Sequence, residues 1–579
     1  MAIPFDQQYF VEKDRNNKYE WLIFAITFIL LGLHGALFHW IPMRLRRNRL
    51  EHDKYFKFIK KWDIWTSCVN YKGFYFQPSL VLLGVLFCGL NVLFCFMEID
   101  DIDYQPKFYV MSKRISKVAI GSLPFMMFSV TKHDVLSTLS GLQHDRLEFI
   151  HKWLARIMWV MITIHLIMAM MYWLGLNFLI MIYIPPQIFG FIAYFSFCML
   201  TWASVKFIRQ WAYDFFLVQH RVFAFIMFLL SFFHNGGNRA AVLIAVHGFV
   251  IDRVVSKIMA HVHSRKSPTK GRCDFRILDE DTIAVWIPVS ESGYTSQGWY
   301  TRYLPAYKTW KAGQHIYFNV SKVKYFQYHP FTIASIAETG KMKLLIRVQK
   351  GFTKKLMKHL EQVDHDLVTI NGFFHGPYGA RMQPLLPFDI SLFFAAGSGG
   401  AFTFPVCWDL LNQIEKRDDA GDFLFRPQQK QIRFIWAIKK LENICWFEDE
   451  LKELTGRCIV DIYVTQETKI ELSSSDDDDF KLLDLETTNL KDLVQPIVTT
   501  LKGLINEITR TTSQDYNIFY GRPNIGQIIE QHSTQLCPTQ SISVCSCGAP
   551  PFTNSVKEMC QRARKLKDSP DVYCYTESF

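Results

Sequence analysis

Apolar residues run in long blocks through roughly the first 260 positions and in short alternating stretches thereafter, so the chain changes character near its middle. Blocks of about the 20 residues needed to cross a bilayer lie near Trp21 to Trp40, Pro78 to Met97, Ile115 to Val130, His151 to Tyr172, Tyr183 to Val205, Phe215 to His234 and Ala240 to Met259. They predict seven membrane helices, the third interrupted by Gly121 and Pro124. After Ser267, stretches such as FRILDEDTIAVWIPV and HIYFNV alternate between turn residues and predict a small antiparallel β-barrel. A linker around Ser264 to Gly271 leads to it. From Ile390 the order is strand, glycine turn, helix and strand (ISLFFAAGSGGAFTFPVCWDLL, then IRFIWAIKK), which predicts a parallel α/β layer.

Charge gives these elements a direction. Arg44, Arg46, Arg47, Arg49, Lys54, Lys57, Lys60 and Lys61 mark the connection after the first span as cytosolic, and Lys206, Arg209, Arg253, Lys257 and Arg265 fall on the alternate turns of the same side. The N-terminus is then extracytosolic and the C-terminal half cytosolic, in a plasma or endoplasmic reticulum membrane. The same topology explains a formal net charge of +11 without nucleic acid as a partner; membrane lipids surround the first half. Glu98, Asp100, Asp101 and Asp103 sit on an outer connection, either a solvated turn or a surface that attracts cations. The first apolar run is long enough to span, so it reads as a retained helix and not a cleaved signal. The 13 cysteines show neither zinc-site spacing nor a disulfide framework. SSSDDDD lies in a stretch, about 466–514, that reads as a disordered surface insertion.

Four histidines carry the candidate chemistry of the membrane half. His151 and His165 are fourteen positions apart on one span, and His220 and His234 repeat the interval on another. Fourteen residues at about 100° each return to the same helix face, roughly 21 Å along the axis. Two such helices, facing one another, offer one His/His pair near each membrane surface, and each pair suits a six-coordinate haem iron. Because both spans run outward, His151 pairs with His220 and His165 with His234. The alternative is four interior histidines bonded to backbone carbonyls, the reading given to His34, His39 and His247.

The words HKWLARIMWVMITIH and HRVFAFIMFLLSFFH resemble the ferric reductase and NADPH oxidase superfamily, most closely the short fungal probable metalloreductases. The resemblance implies four regions: an extra span with a basic loop (1–77), a transmembrane haem bundle (78–263), a ferredoxin-reductase-like FAD barrel (268–387) and an NADPH-binding α/β domain (388–579). In the barrel, WKAGQHIYF and the HPFT word (His329, Pro330, Phe331, Thr332) are expected along the flavin, with Gly351, Phe352 and Thr353 at its pyrophosphate. FFHGPYG is expected to close the barrel. Gly397, Ser398, Gly399 and Gly400 form the nucleotide turn, with Ala396 and Ala401 departing from the family pattern. Lys439 and Arg522 stand where cations favour the ribose 2′-phosphate of NADPH. Cys547 and Gly548 match the turn beside the nicotinamide, despite Ala549 before Pro550, and Phe579 matches the terminal aromatic over the flavin; Cys547 and Phe579 are the expected catalytic positions. The implied activity carries electrons from NADPH through FAD and two b-type haems to Fe(III) or Cu(II) across the membrane. Oxygen as acceptor is the alternative, and a non-catalytic scaffold or channel a further one.

Overall fold

The computed structural model describes residues 3–47, 62, 65–66, 69–71, 74–132, 135–266, 269–289, 310–323, 327–363, 366–379, 382–419, 430–467, 516–566 and 569–578. The expectations for Phe579, for the acidic insertion beyond residue 467 and for the basic loop residues Arg49, Lys54, Lys57, Lys60 and Lys61 lie outside them. The chain divides into two compact units, a helical one through Lys266 that also takes in Phe373–Gln383, and one holding the remaining strands and helices.

The helical unit begins with α1 (Gln8–Gly35), which runs on through a single wide turn, Ala36–Trp40, into a further helix. A short hairpin, β1 (Val69–Tyr71) with β2 (Phe74–Phe76), precedes α2 (Pro78–Phe96), which starts at a proline whose missing N–H costs nothing in the first turn. The third expected span is divided into α3 (Lys107–Gly121) and α4 (Leu123–Phe128). Pro124 lies in the first turn of the second helix, and a Cβ at Gly121 would stand 2.3 Å from the Glu20 carbonyl, so the break lies where α3 presses on α1. The unit continues through α5 (His144–Gly175), α6 (Pro185–Ala203), α7 (Tyr213–His234) and α8 (Arg239–Lys266). Among the described residues, five helices are long and apolar enough to cross a membrane: α1 with its extension, α2, α5, α6 and α7. The other two expected spans are the broken α3–α4 pair and α8, whose 28 residues include Asp252, Arg253 and Lys257. Helix α6 packs along α7, and α3 along α5, whereas α5 and α7 barely touch one another.

In the second unit, β3 (Arg272–Asp279), β4 (Thr282–Pro288), β7 (Lys341–Arg347) and β8 (Val368–Asn371) form an antiparallel sheet ordered β7-β4-β3-β8. Strands β5 (Gln314–Asn319) and β6 (His329–Thr332) pair antiparallel beside it, linked by the bridge Ile333 to Leu344. Phe373–Gly379 is a strand, β9, and groups with the helical unit. The nucleotide half is a six-stranded parallel sheet, ordered β13-β12-β11-β10-β14-β15, from β10 (Ile390–Ala396), β11 (Gln431–Ile438), β12 (Ile459–Val464), β13 (Asn517–Tyr520), β14 (Ser541–Gly548) and β15 (Asp571–Ser578). All eight residues of β14 are buried, as expected of a parallel strand covered on both faces.

A buried ion pair joins barrel to sheet. Lys343 Nζ on β7 lies 2.6 Å from a Glu450 carboxylate oxygen, both side chains under 10% exposed. Beside it the Arg347 guanidinium sits 5.0 Å over Trp446, whose indole donates to Asp279 at 2.6 Å.

Candidate functional site

The four histidines come from two helices that stand apart. On α5, Nδ1 of His151 lies 3.0 Å from the Met126 carbonyl, and Nδ1 of His165 lies 2.9 Å from the Ser112 carbonyl. On α7, Nδ1 of His234 lies 2.7 Å from the Pro186 carbonyl. A carbonyl only accepts, so each Nδ1 carries the proton and each Nε2 keeps its lone pair. That is the tautomer a metal-ligating histidine needs, held by the outer hydrogen bond that orients such ligands. Nδ1 of His220 is buried with no hydrogen-bond partner among the described residues. His165 and His234 line one cavity of about 420 Å³. Two histidines with bare Nε2 atoms lining one cavity, as His165 and His234 do, fit a bis-histidine haem. Groups of three or more metal-ligating side chains are absent among the described residues, as a two-ligand haem site requires no more.

Two residues that sequence reasoning passed over complete this pocket. Ser112 holds the His165 ring through its carbonyl, and its hydroxyl lies 3.0 Å from the same Nδ1. A Cβ at Gly190 on α6 would lie 2.6 Å from His234 Nδ1, so only glycine leaves room for that ring. Gly190 stands in an apolar helix and Ser112 in a charged one, and neither carries a local signal.

The acidic outer connection is tied to neighbouring helices. Arg15 grips Asp101 with two guanidinium nitrogens at 2.6 and 2.8 Å, Lys18 reaches Glu98 at 3.0 Å, and Lys107 meets Asp103 at 2.8 Å. Three of the four acids are thus engaged by cations of α1 and α3.

The flavin words converge in the second unit. The rings of His329 and Phe352 stack with centroids 4.6 Å apart. Gly351, at φ 79°, starts the helix α9 (Phe352–Glu361), and the space about a Cβ there is open, so N–H groups of its first turn are accessible to a phosphate. Thr353 Oγ1 accepts from the Gln349 N–H at 2.8 Å and closes the turn. Trp310, first residue of WKAGQHIYF, donates its indole N–H to the Ser335 carbonyl at 2.7 Å, tying that word to HPFTIAS.

The nucleotide residues gather along one sheet edge. Gly397 follows β10, Lys439 follows β11, Arg522 follows β13, and Gly548 ends β14, all at carboxyl ends of parallel strands. Strand order reverses between β10 and β14, and such a switch point opens a crevice for ligands. The glycines there divide by role. A Cβ at Gly399 would lie 2.2 Å from the Cys547 carbonyl, and one at Gly400 2.6 Å from the Phe447 ring, so both serve close packing. Gly397, at φ 55° and facing open space, leaves its backbone approachable; Trp436, unnoticed in sequence, fixes it by donating to its carbonyl at 3.0 Å. Ser398 stands between them in the same turn. Lys439 and Arg522 are both exposed and lie on strands separated by β12, roughly 10 Å by strand spacing. Cys547 is buried, and that burial, with Glu577 alongside, pushes its thiol well above the usual range. It therefore offers a neutral S–H and not a thiolate.

Residues 115–231 match the family described as ferric reductase like transmembrane component, residues 302–382 an FAD-binding domain, and residues 388–561 the ferric reductase NAD binding domain. A probable cell surface ferric reductase kap2 of Aspergillus oryzae is 26% identical over 65% of this chain and 50% of its own. Ferric reductase transmembrane component 5 of Saccharomyces cerevisiae is 24% identical over 81% of this chain and 61% of its own. Ferric/cupric reductase transmembrane component 2 of Schizosaccharomyces pombe is 19% identical over 86% of each. The chain thus spans about half to three-fifths of the length of the first two relatives. The chain thus carries, in this order, a region like the ferric reductase transmembrane component, an FAD-binding domain and a ferric reductase NAD binding domain, and it is similar to those fungal transmembrane components.

Proposed function

We propose that this chain is a transmembrane NADPH-dependent metalloreductase that delivers electrons to Fe(III) or Cu(II) across the membrane; FAD, when bound, would supply the change from electron pairs to single electrons, and two b-type haems a one-electron path. The observation that carries the reading is the duplicated His interval together with Nδ1 protons committed to backbone carbonyls on three of the four rings.

The chain's own residues bind, orient and separate the reactants. Met126, Ser112 and Pro186 carbonyls hold the histidines as neutral ligands with Nε2 presented. His329 to Thr332 and Gly351 to Thr353 form the flavin bed on the barrel, where the first turn of α9 favours a pyrophosphate. Gly397 gives the dinucleotide a close approach at the switch point, and Lys439 and Arg522 supply cations for a ribose 2′-phosphate. Cys547, kept protonated, borders the crevice as a neutral contact. The relatives' names favour ferric and cupric ions over oxygen as acceptor.

The test is the purified full chain in proteoliposomes, supplied with NADPH and offered chelated Fe(III), Cu(II) and oxygen in competition. Metal reduction that persists with superoxide dismutase present is expected, together with a b-type haem spectrum. Suppression by the dismutase makes the chain a superoxide-forming oxidase instead, and absence of both haem and electron transfer leaves the scaffold reading.

A further inference from the structure

Glu12, Asn16 and Glu20 recur every four residues in the polar first half of α1, so they share one face of the helix. Each is buried, at 2%, 6% and 2% exposed. Across from them on α3, Lys113 Nζ lies 2.7 Å from the Glu12 carboxylate and Lys117 Nζ 2.8 Å from that of Glu20. Between these two pairs, Arg114 donates to the Asn16 side-chain oxygen and, at 3.0 Å, to the Met97 carbonyl, while its guanidinium rests 4.3 Å over the Tyr19 ring. The result is a ladder of three rungs. Its outer rungs are ion pairs, but the middle one sets a cation against an amide. Arg114 is 1% exposed, and among the described residues none of its hydrogen-bond partners is a carboxylate. The ladder therefore holds one buried positive charge in excess.

Ions are expensive to bury in a protein and replaceable by apolar packing, so a ladder of them calls for a use. Its location supplies one. Glu12, Asn16, Lys113 and Lys117 line the same cavity as His165 and His234. The next residue back along α3, Ser112, holds the His165 ring. Helix α1 thus contributes a wall of the outer pocket although it lies outside residues 115–231, the stretch matched as ferric-reductase-like.

We infer that the α1–α3 ladder is an electrostatic positioning device for the outer pocket, its excess positive charge raising the reduction potential of the one-electron carrier held by His165 and His234. The inference rests on the haem reading above. A fixed cation stabilises the state with the added electron, and a fixed anion destabilises it. At an effective dielectric of ~20, a unit charge in the same pocket wall is worth on the order of tenfold in the reduction equilibrium. A clamp that merely fastened α1 to α3 would respond alike to the loss of either partner, whereas an electrostatic device responds with opposite sign.

The experiment is a spectroscopic redox titration of both haems in the purified full chain. Glu20→Gln is expected to raise the outer haem's midpoint potential and Lys117→Gln to lower it, each by about tenfold in equilibrium, ~59 mV for one electron. The double variant returns towards the parent value, and the inner haem stays in place throughout. Asn16→Asp, which sets a carboxylate against Arg114 without breaking a pair, lowers the outer potential and serves if either first variant fails to fold. Shifts of one sign in the two single variants, equal shifts in both haems, or no shift with Asn16→Asp overturn the inference. Absence of haem from the unmodified protein overturns the proposed function instead, so the two failures are distinct.

Discussion

The imidazole of His329 lies on the ring of Phe352 with their planes 17° apart. The two residues come from different segments, one a strand and the other the first turn of a helix, and their stacking turns two sequence words into one surface. Phe352 is 2% exposed, so it is also part of the core beneath that surface.

Phe352→Ala is expected to cost about 3–5 kcal/mol as a large core truncation and to lower the flavin content of the purified chain. Phe352→Leu restores most of the volume but not the stack, worth about 0.5–1.5 kcal/mol. If flavin stoichiometry follows the stack, the leucine variant stays flavin-poor while its thermal melting recovers; recovery of both assigns Phe352 to packing alone.

His220→Ala should remove the inner haem and His165→Ala the outer, each halving the yield in a pyridine haemochrome assay, to about one haem per chain. Gly190→Ala touches no ligand directly, yet its new Cβ would stand 2.6 Å from His234 Nδ1. It should therefore lose the outer haem and keep the inner. Full haem content in all three variants would contradict the ligand assignment.

Lys439→Ala should weaken NADPH and leave NADH unchanged, because only the former carries the phosphate that a cation at the end of β11 favours. Arg522→Ala should act in the same direction. Stopped-flow flavin reduction with each nucleotide measures this, and equal use of both by the unmodified chain would refute it.

Removing one partner of the Lys343–Glu450 pair leaves a buried charge uncompensated, so Glu450→Gln should cost about 3–5 kcal/mol. Replacing both, as Lys343→Met with Glu450→Leu, should recover most of that loss. Thermal release of flavin in the full chain reports it; a double variant as weak as the single would show that the pair acts through something besides its charge.

The Cys547 thiol, pushed up by burial, should stay unmodified by iodoacetamide to about pH 9, where an ordinary cysteine is largely thiolate. The exposed Cys537 in the same domain serves as the internal control in peptide mass mapping. Labelling of both at equal rates would mean that Cys547 is available as a nucleophile.

The legible part of this chain was what depends on one segment at a time. Hydropathy blocks located the membrane helices, the doubled interval located the four histidines, and the glycine turn located the switch point. Contacts between segments were hidden. Gly399 and Gly400 read as nucleotide glycines, but the nearest atoms to their missing side chains belong to Cys547 and Phe447, far along the chain. The acids Glu98 and Asp101 read as an unpaired cluster because their partners Lys18 and Arg15 lie some eighty positions earlier. The stripe of Glu12, Asn16 and Glu20 was visible as letters, yet without α3 opposite it had no meaning. The third span is cut short for a physical reason: the helix breaks between Gly121 and Pro124, where α3 presses on α1.

Helices α5 and α7, which bear all four histidines, barely meet. Their buried side chains join one apolar core, but direct packing between the two helices is sparse, so a ligand held between the histidines would add to the tertiary structure. On the haem reading, ligand supply then enters the folding equilibrium through mass action. A cell short of haem would make the chain at its usual rate and yet accumulate less of it, because the unfilled bundle is the form that membrane proteases can open.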